Sequence, residues 1–145
     1  MTVTQTVLVN DGGAPARIMN FECATALTAG MAVGIDTAGK AIPMATADEY
    51  PAGYALVDCA GGDFASGITG SGVMLYVHRD GGSVDIVTGD ALECSTVAGA
   101  LQKLNTASDD SVPVAIALEG STDTAANHAD VANGGGVELF KVLGK

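Results

Sequence analysis

Leu27-Thr28-Ala29-Gly30-Met31-Ala32-Val33 and Ile86-Val87-Thr88-Gly89-Asp90-Ala91-Leu92 are two versions of one phrase: an apolar residue, a turn closed by glycine, and a short run suited to a β-strand. The echo continues outward. Gly39-Lys40-Ala41-Ile42-Pro43 has a looser counterpart in Gly99-Ala100-Leu101-Gln102-Lys103, and Tyr54-Ala55-Leu56 in Ile116-Ala117-Leu118. Each half then passes through a polar, Gly-rich loop, residues 57–72 or 119–136, into an alternating strand, Val73-Met74-Leu75-Tyr76-Val77 or Val137-Glu138-Leu139-Phe140-Lys141-Val142. The spacing drifts from 59 residues between Leu27 and Ile86 to 64 between Val73 and Val137, as small insertions between paired strands would make it do. The pattern predicts one β domain, residues 16–145, built from repeat one (about 16–80) and repeat two (about 81–145), preceded by an N-terminal arm, residues 1–15.

The fold class expected is all-β, mainly strand with at most one or two short helices, in a compact barrel- or sandwich-like body. Glycines fall every few residues and β-branched residues cluster between them, which is a poor background for helical periodicity. The best helical segments are Ser95 to Leu104 and Thr122 to Ala132, the latter with Thr122 as a candidate N-cap. Thr2 to Val9 is rich in β-branched residues and ends at the turn cluster Asn10-Asp11-Gly12-Gly13, so it reads as a strand or an extended arm.

A chain of 145 residues with 48% hydrophobic residues can bury a real core, but it has no Trp, three Phe and three Tyr. That core must be made of Val, Ile, Leu, Met and Ala, and a core thin in large side chains is often supplemented by oligomerisation. Seventeen acidic residues against six basic ones give a net charge of -11, and the cations are scattered singly. No Lys/Arg stripe is available to neutralise phosphates, so nucleic acid is not an expected partner. The longest wholly apolar stretch, Val112 to Leu118, is too short to span a bilayer as a helix, and no membrane partner is expected. The first residues lack a basic region followed by an apolar one, so no signal peptide is expected. Cys23, Cys59 and Cys94 are odd in number and form no C-x-x-C pair; they read as small buried hydrophobes in a reducing compartment.

Motifs for catalysis are weak. His78-Arg79-Asp80 imitates a kinase catalytic-loop triplet without any of the other kinase motifs, and reads as a strand end before the turn Asp80-Gly81-Gly82. His128 with Ser121, Asp123 and Asp130 lies in one Gly/Ala-rich loop, without H-E-x-x-H or G-x-S-x-G spacing and without rigid support. Gly67-Ile68-Thr69-Gly70-Ser71-Gly72 and Gly134-Gly135-Gly136 lack the G-K-[ST] of a phosphate loop and lead into strands; they read as hairpin turns. The adjacent pair Asp109-Asp110 sits in a turn outside any calcium-loop spacing. The expectation is a protein that is not an enzyme, with no catalytic residue, no cofactor and no metal.

The run Ala16-Arg17-Ile18-Met19-Asn20-Phe21, followed by Leu27 to Val33, Gly39 to Pro43 and Gly53-Tyr54-Ala55-Leu56, resembles the small capsid decoration (cement) proteins of tailed bacteriophages. Their second half often carries a phrase T-x-G-D-x-L, which is similar to Thr88-Gly89-Asp90-Ala91-Leu92. The resemblance covers most of the chain from about Ala16 onward. It implies a β-tulip-type body, often a homotrimer, that sits on the outer surface of a phage head and clamps adjacent major capsid subunits, after synthesis in the cytoplasm of the bacterial host. An acidic surface, repelled by packaged DNA, suits that exterior position. The residues expected to touch the shell are those of the arm, Thr2, Val3, Thr4, Gln5, Thr6, Val7, Leu8 and Val9, by adding a strand to a capsid edge. The alternative is a carbohydrate-binding or adhesive β module, which needs an exposed aromatic platform drawn from Phe21, Tyr50, Tyr54, Phe64, Tyr76 and Phe140. A small hydrolase centred on His128 is a third and weaker reading.

Overall fold

The computed structural model describes residues 7–10, 17–46, 49–69, 73–80, 85–120 and 139–144. Turn glycines and β-prone runs divide them into eleven strands: β1 Val7–Asn10, β2 Arg17–Glu22, β3 Ala32–Ile35, β4 Ala41–Pro43, β5 Gly53–Ala55, β6 Phe64–Thr69, β7 Val73–Arg79, β8 Ala91–Cys94, β9 Ala100–Lys103, β10 Ala115–Ala117 and β11 Leu139–Gly144. No helix occurs among the described residues, and the all-β class is borne out. Ser95 to Leu104, the better helical candidate, is instead a turn followed by β9. There Gly99 has φ 78°, which ends any helix, and Leu101 is buried opposite Cys94 of β8. The second helical candidate, Thr122 to Ala132, lies outside the described residues.

One sheet runs β1-β7-β11-β10-β8-β9 and the other β2-β6-β5-β3-β4. With β1 set aside, the two orders coincide: first strand, fifth, fourth, second, third. Strands β2–β6 form unit 1 and β7–β11 form unit 2. In unit 2, β7 also pairs in parallel with β9, His78 opposite Ala100 and Arg79 opposite Leu101, which closes the five strands into a small barrel. Unit 1 makes the same closure with one parallel bridge, Cys23 to Ala41. The correspondence reaches individual hydrogen bonds. Gly30 N donates to Ala55 O and Gly89 N to Ala117 O, both at 2.8 Å; Met44 N donates to Ala32 O and Leu104 N to Ala91 O, both at 2.9 Å. The turn glycines match as well, with φ 90° at Gly30 and 94° at Gly89, and 80° at Gly39 and 78° at Gly99, a region that side-chain-bearing residues avoid.

This pairing order draws the boundary between the units after β6 and not near residue 80. The expected match of Val73–Val77 with Val137–Val142 is therefore corrected. β7 corresponds to β2, and β11 to β6. Alternation in the sequence likens β7 to β11, but the two are neighbours in one sheet. The hairpin reading of Gly67 to Gly72 is corrected too: Gly67-Ile68-Thr69 belongs to β6, and β6 and β7 lie in different sheets. Gly67 is needed because a Cβ there would lie 2.5 Å from the Phe21 ring.

The cores follow from the alternation. Phe21, Cys23, Leu27, Val33, Ala41, Ala55 and Ala65 fill unit 1. Val73, Leu75, Val77, Ile86, Leu92, Cys94, Leu101 and Val142 belong to a larger cluster that also takes in Ala32, Tyr54 and Ile68 from unit 1. Each fully buried Leu or Val contributes about 1.5–3 kcal/mol, so the larger cluster dominates the fold. Gly99 stitches the units together: its carbonyl accepts from Ala32 N at 2.9 Å and its amide donates to Met44 O at 2.6 Å.

Candidate functional site

Of the arm residues expected to bind a partner, Val7, Leu8 and Val9 form β1, while Thr2, Val3, Thr4, Gln5 and Thr6 lie outside the described residues. β1 runs antiparallel along β7, with Val7 opposite Leu75, Val9 opposite Met74 and Asn10 opposite Val73, and a register irregularity between Val7 and Val9. The end of the arm is thus an edge strand of the first sheet. Its other side has no strand partner among the described residues. Backbone donors and acceptors along such an edge can pair with an added strand.

A second edge was not foreseen from the sequence. Arg17, Ile18, Met19 and Asn20, the first four residues of β2, are all exposed. Ile18 is 67% and Met19 36% accessible. On the same sheet Phe64, opposite Glu22, is 75% exposed, while Asn20 Oδ1 accepts from Ser66 Oγ at 2.8 Å. Of the candidate aromatics Phe21 and Tyr54 are buried, whereas Tyr50 is 68% exposed on the rim of a cleft of about 470 Å³ lined by Ile35, Ile42, Met44, Thr46 and Glu49.

The buried polar residues cluster near the closure of unit 2. His78, Arg79, Asp80, Glu93 and Ser95 are all buried. His78 Nε2 lies 2.9 Å from Ala29 O, which can only accept, so the ring donates there. Burial pushes the His78 pKa down, against the opposing pull of the Ala29 carbonyl and Asp58. Ser95 Oγ donates to Asp80 Oδ2 and accepts from Val97 N at 2.9 Å. The His78 ring is therefore engaged with the Ala29 carbonyl, and Ser95 with Asp80. Glu93 Oε1 accepts from Gln102 Nε2 at 2.7 Å and from Asn105 N at 3.3 Å. The His128 cluster lies outside the described residues.

All three cysteines are free thiols. Cys23 packs near Cys59 inside unit 1. Burial, aided by a hydrogen bond with Cys59, pushes the Cys23 thiol up to about 11, and burial beside Glu93 pushes Cys94 up to about 12. Both shifts disfavour the thiolate, the form that acts as a nucleophile. Among the described residues no three His, Cys, Asp or Glu side chains come together as a metal site.

Edge strands and exposed apolar side chains on a duplicated pair of five-stranded β units define this molecule as a β scaffold whose notable features are on its surface. The same fold is found in the N base of the head fibre protein gp8.5 of bacteriophage phi29, with a TM-score of 0.62 and 14% identity over 90% of this chain and 95% of that one. No protein-family model matches the chain. No curated protein sequence matches it either.

Proposed function

We propose that this chain is a structural protein of a phage virion that binds the outer surface of the head and stabilises the shell by clamping adjacent major capsid subunits. The observation that carries the reading is the shared fold, over nearly the full length of both chains, with a protein of a phage head fibre. The role is binding without turnover. A protein that binds the assembled shell and not its dissociated subunits stabilises the shell by mass action. As a homotrimer it would present several equivalent contacts and gain avidity. The arm contributes through its edge: β1 is anchored on β7, and its outer side, which pairs with no strand among the described residues, receives a capsid strand.

The test is to mix the purified protein with expanded, undecorated heads and to measure co-sedimentation and the temperature of head disruption. Stoichiometric binding with a raised disruption temperature is expected; absence of both overturns the proposal. The adhesive alternative is favoured by one observation, the exposed Tyr50 beside its cleft, since an aromatic face over a cleft can stack on a sugar ring. Glycan binding that is lost in Tyr50→Ala, with no head binding, would replace the capsid reading with that one.

A further inference from the structure

The duplication makes a prediction about what is missing from one of its copies. In each unit the first strand has two parts. Its C-terminal part closes the barrel against the third strand, through Arg79 and Leu101 in unit 2 and Cys23 and Ala41 in unit 1. Its N-terminal part projects beyond that closure, with one side on the fifth strand. The registers β2–β6 and β7–β11 put Arg17, Ile18 and Met19 where unit 2 has Val73, Met74 and Leu75. In unit 2 those three residues are the ones that β1 covers. In unit 1 nothing among the described residues covers them, and Val73 and Leu75 are buried where Arg17 and Met19 are exposed.

We infer that the open edge of β2, Arg17 to Asn20, is a second strand-docking site, and that its occupant is an extended, uncharged apolar segment of the capsid subunit, running antiparallel to β2 as β1 runs along β7. This rests on the capsid reading and deepens it. The chemistry of the occupant is read from β1, the sequence Val-Leu-Val-Asn, which fills the equivalent place in this chain. A second copy of the protein has no spare β1 to offer, because its own is engaged on β7. The edge carries one charge, at Arg17, and is otherwise without the usual protection against pairing. It has no proline, lysine or bulge, and its two central residues are Ile18 and Met19.

The experiment uses the full chain and expanded heads. Ile18→Lys/Met19→Lys places two charges on the edge at exposed positions, and Val87→Lys does the same at an exposed apolar residue away from it. The expected result is at least a tenfold loss of head affinity for the double variant, with binding by Val87→Lys and thermal stability of the free proteins close to those of the wild type. Hydrogen exchange of the wild type serves as a second readout that needs no variant: the amides of residues 17–20 are expected to become protected on heads. Full binding by a well-folded double variant, or unprotected amides in the bound wild type, overturns the docking site and leaves the capsid reading standing. Failure of the wild type to bind heads overturns both. A change in solution mass of the double variant, measured by light scattering, would show that a second copy is the occupant, and overturns the assignment to the shell.

Discussion

Where unit 1 sets the ring of Phe21 over Gly67, unit 2 carries Val77 and Val142 at the equivalent positions; where unit 1 has Ala41, unit 2 has Leu101. Cys23 is answered by the buried Arg79, and the half-exposed Glu22, ion-paired to Lys40 at 2.6 Å, by the buried His78. The backbone plan and its turn glycines survive these changes because they are fixed by hydrogen bonds and by φ, neither of which depends on side-chain volume. The volumes have been redistributed. Unit 1 keeps a core of mostly small residues around Phe21, while unit 2 holds the larger aliphatic cluster and recruits Ala32, Tyr54 and Ile68 from the outer face of its neighbour. Unit 1 therefore depends on unit 2 for part of its burial.

The exchange between Phe21 and Gly67 offers the largest test of that comparison. Gly67→Val gives unit 1 the residue of unit 2, and its side chain must enter space held by the Phe21 ring, at an expected cost of about 3 kcal/mol. Phe21→Val alone opens a cavity and costs about 2–4 kcal/mol. The double variant reproduces the pairing of unit 2. It is expected to be more stable than the sum of the single losses by more than about 1 kcal/mol, as read from denaturant unfolding. Additive losses would mean that the two sites are not in the volume exchange described.

The glycines of the third-strand turns give the next effect. Gly39 and Gly99 have φ 80° and 78°, yet a Cβ at Gly39 meets nothing within 4 Å, whereas one at Gly99 would come 2.7 Å from Met31. Gly39→Ala is expected to cost about 1 kcal/mol of conformational strain. Gly99→Ala carries the same strain plus about 1–3 kcal/mol of overpacking at the junction of the units. Equal costs for the two would contradict the role given to Gly99 in joining them.

The parts of this plan that could be read in the sequence are those that depend on φ. Thr28-Ala29-Gly30 and Val87-Thr88-Gly89 stand out because a turn that needs positive φ selects glycine at one fixed place. The β2–β7 and β6–β11 matches could not be read. Arg17-Ile18-Met19-Asn20-Phe21 and Val73-Met74-Leu75-Tyr76-Val77 share only a strand propensity, and the exchange of Phe21 and Gly67 for Val77 and Val142 removes the identities an alignment needs. The candidate surface shows the same division. The β-prone arm was visible from Val7-Leu8-Val9, but its attachment to β7 is a long-range pairing with no local signal. The exposure of Ile18 and Met19 was hidden because an apolar residue in a strand looks the same whether or not its neighbour is present.

His78, which stands where unit 1 has Glu22, predicts a pH effect in unit 2. Burial holds the folded-state pKa of His78 below its ordinary value near 6.5, so the unfolded chain binds a proton that the folded chain resists. The stability from this site is complete above pH 6.5. It is lost as pH falls below that value, until the folded-state pKa is passed. Thermal melts between pH 8 and 5 are expected to show the decline, and His78→Gln, which has no titrating ring, to flatten that part of it. A decline that persists in His78→Gln would assign it to another group.

The smallest effect expected comes from the turn that opens the second strand of each unit. In unit 2 the Asp90 carboxylate accepts from Val87 N at 2.9 Å and pairs with Lys103 Nζ at 3.0 Å. In unit 1 the corresponding amide, Thr28 N, faces the sulfur of Met31 at 3.4 Å, a weaker acceptor. The Val87 amide, followed by Lys103, holds the Asp90 pKa below its ordinary 3.8 against the opposing effect of burial. Asp90→Met gives unit 2 the acceptor of unit 1 and is expected to cost about 1 kcal/mol at neutral pH. Because the folded-state pKa is depressed, the wild type's advantage is present above pH 3.8 and disappears as pH falls through the folded value. The two proteins should therefore converge in stability in acid. A gap that stays constant down to pH 2 would mean that Asp90 acts through the shape of its side chain and not through its charge, and that the two turns differ less in their chemistry than their acceptors suggest.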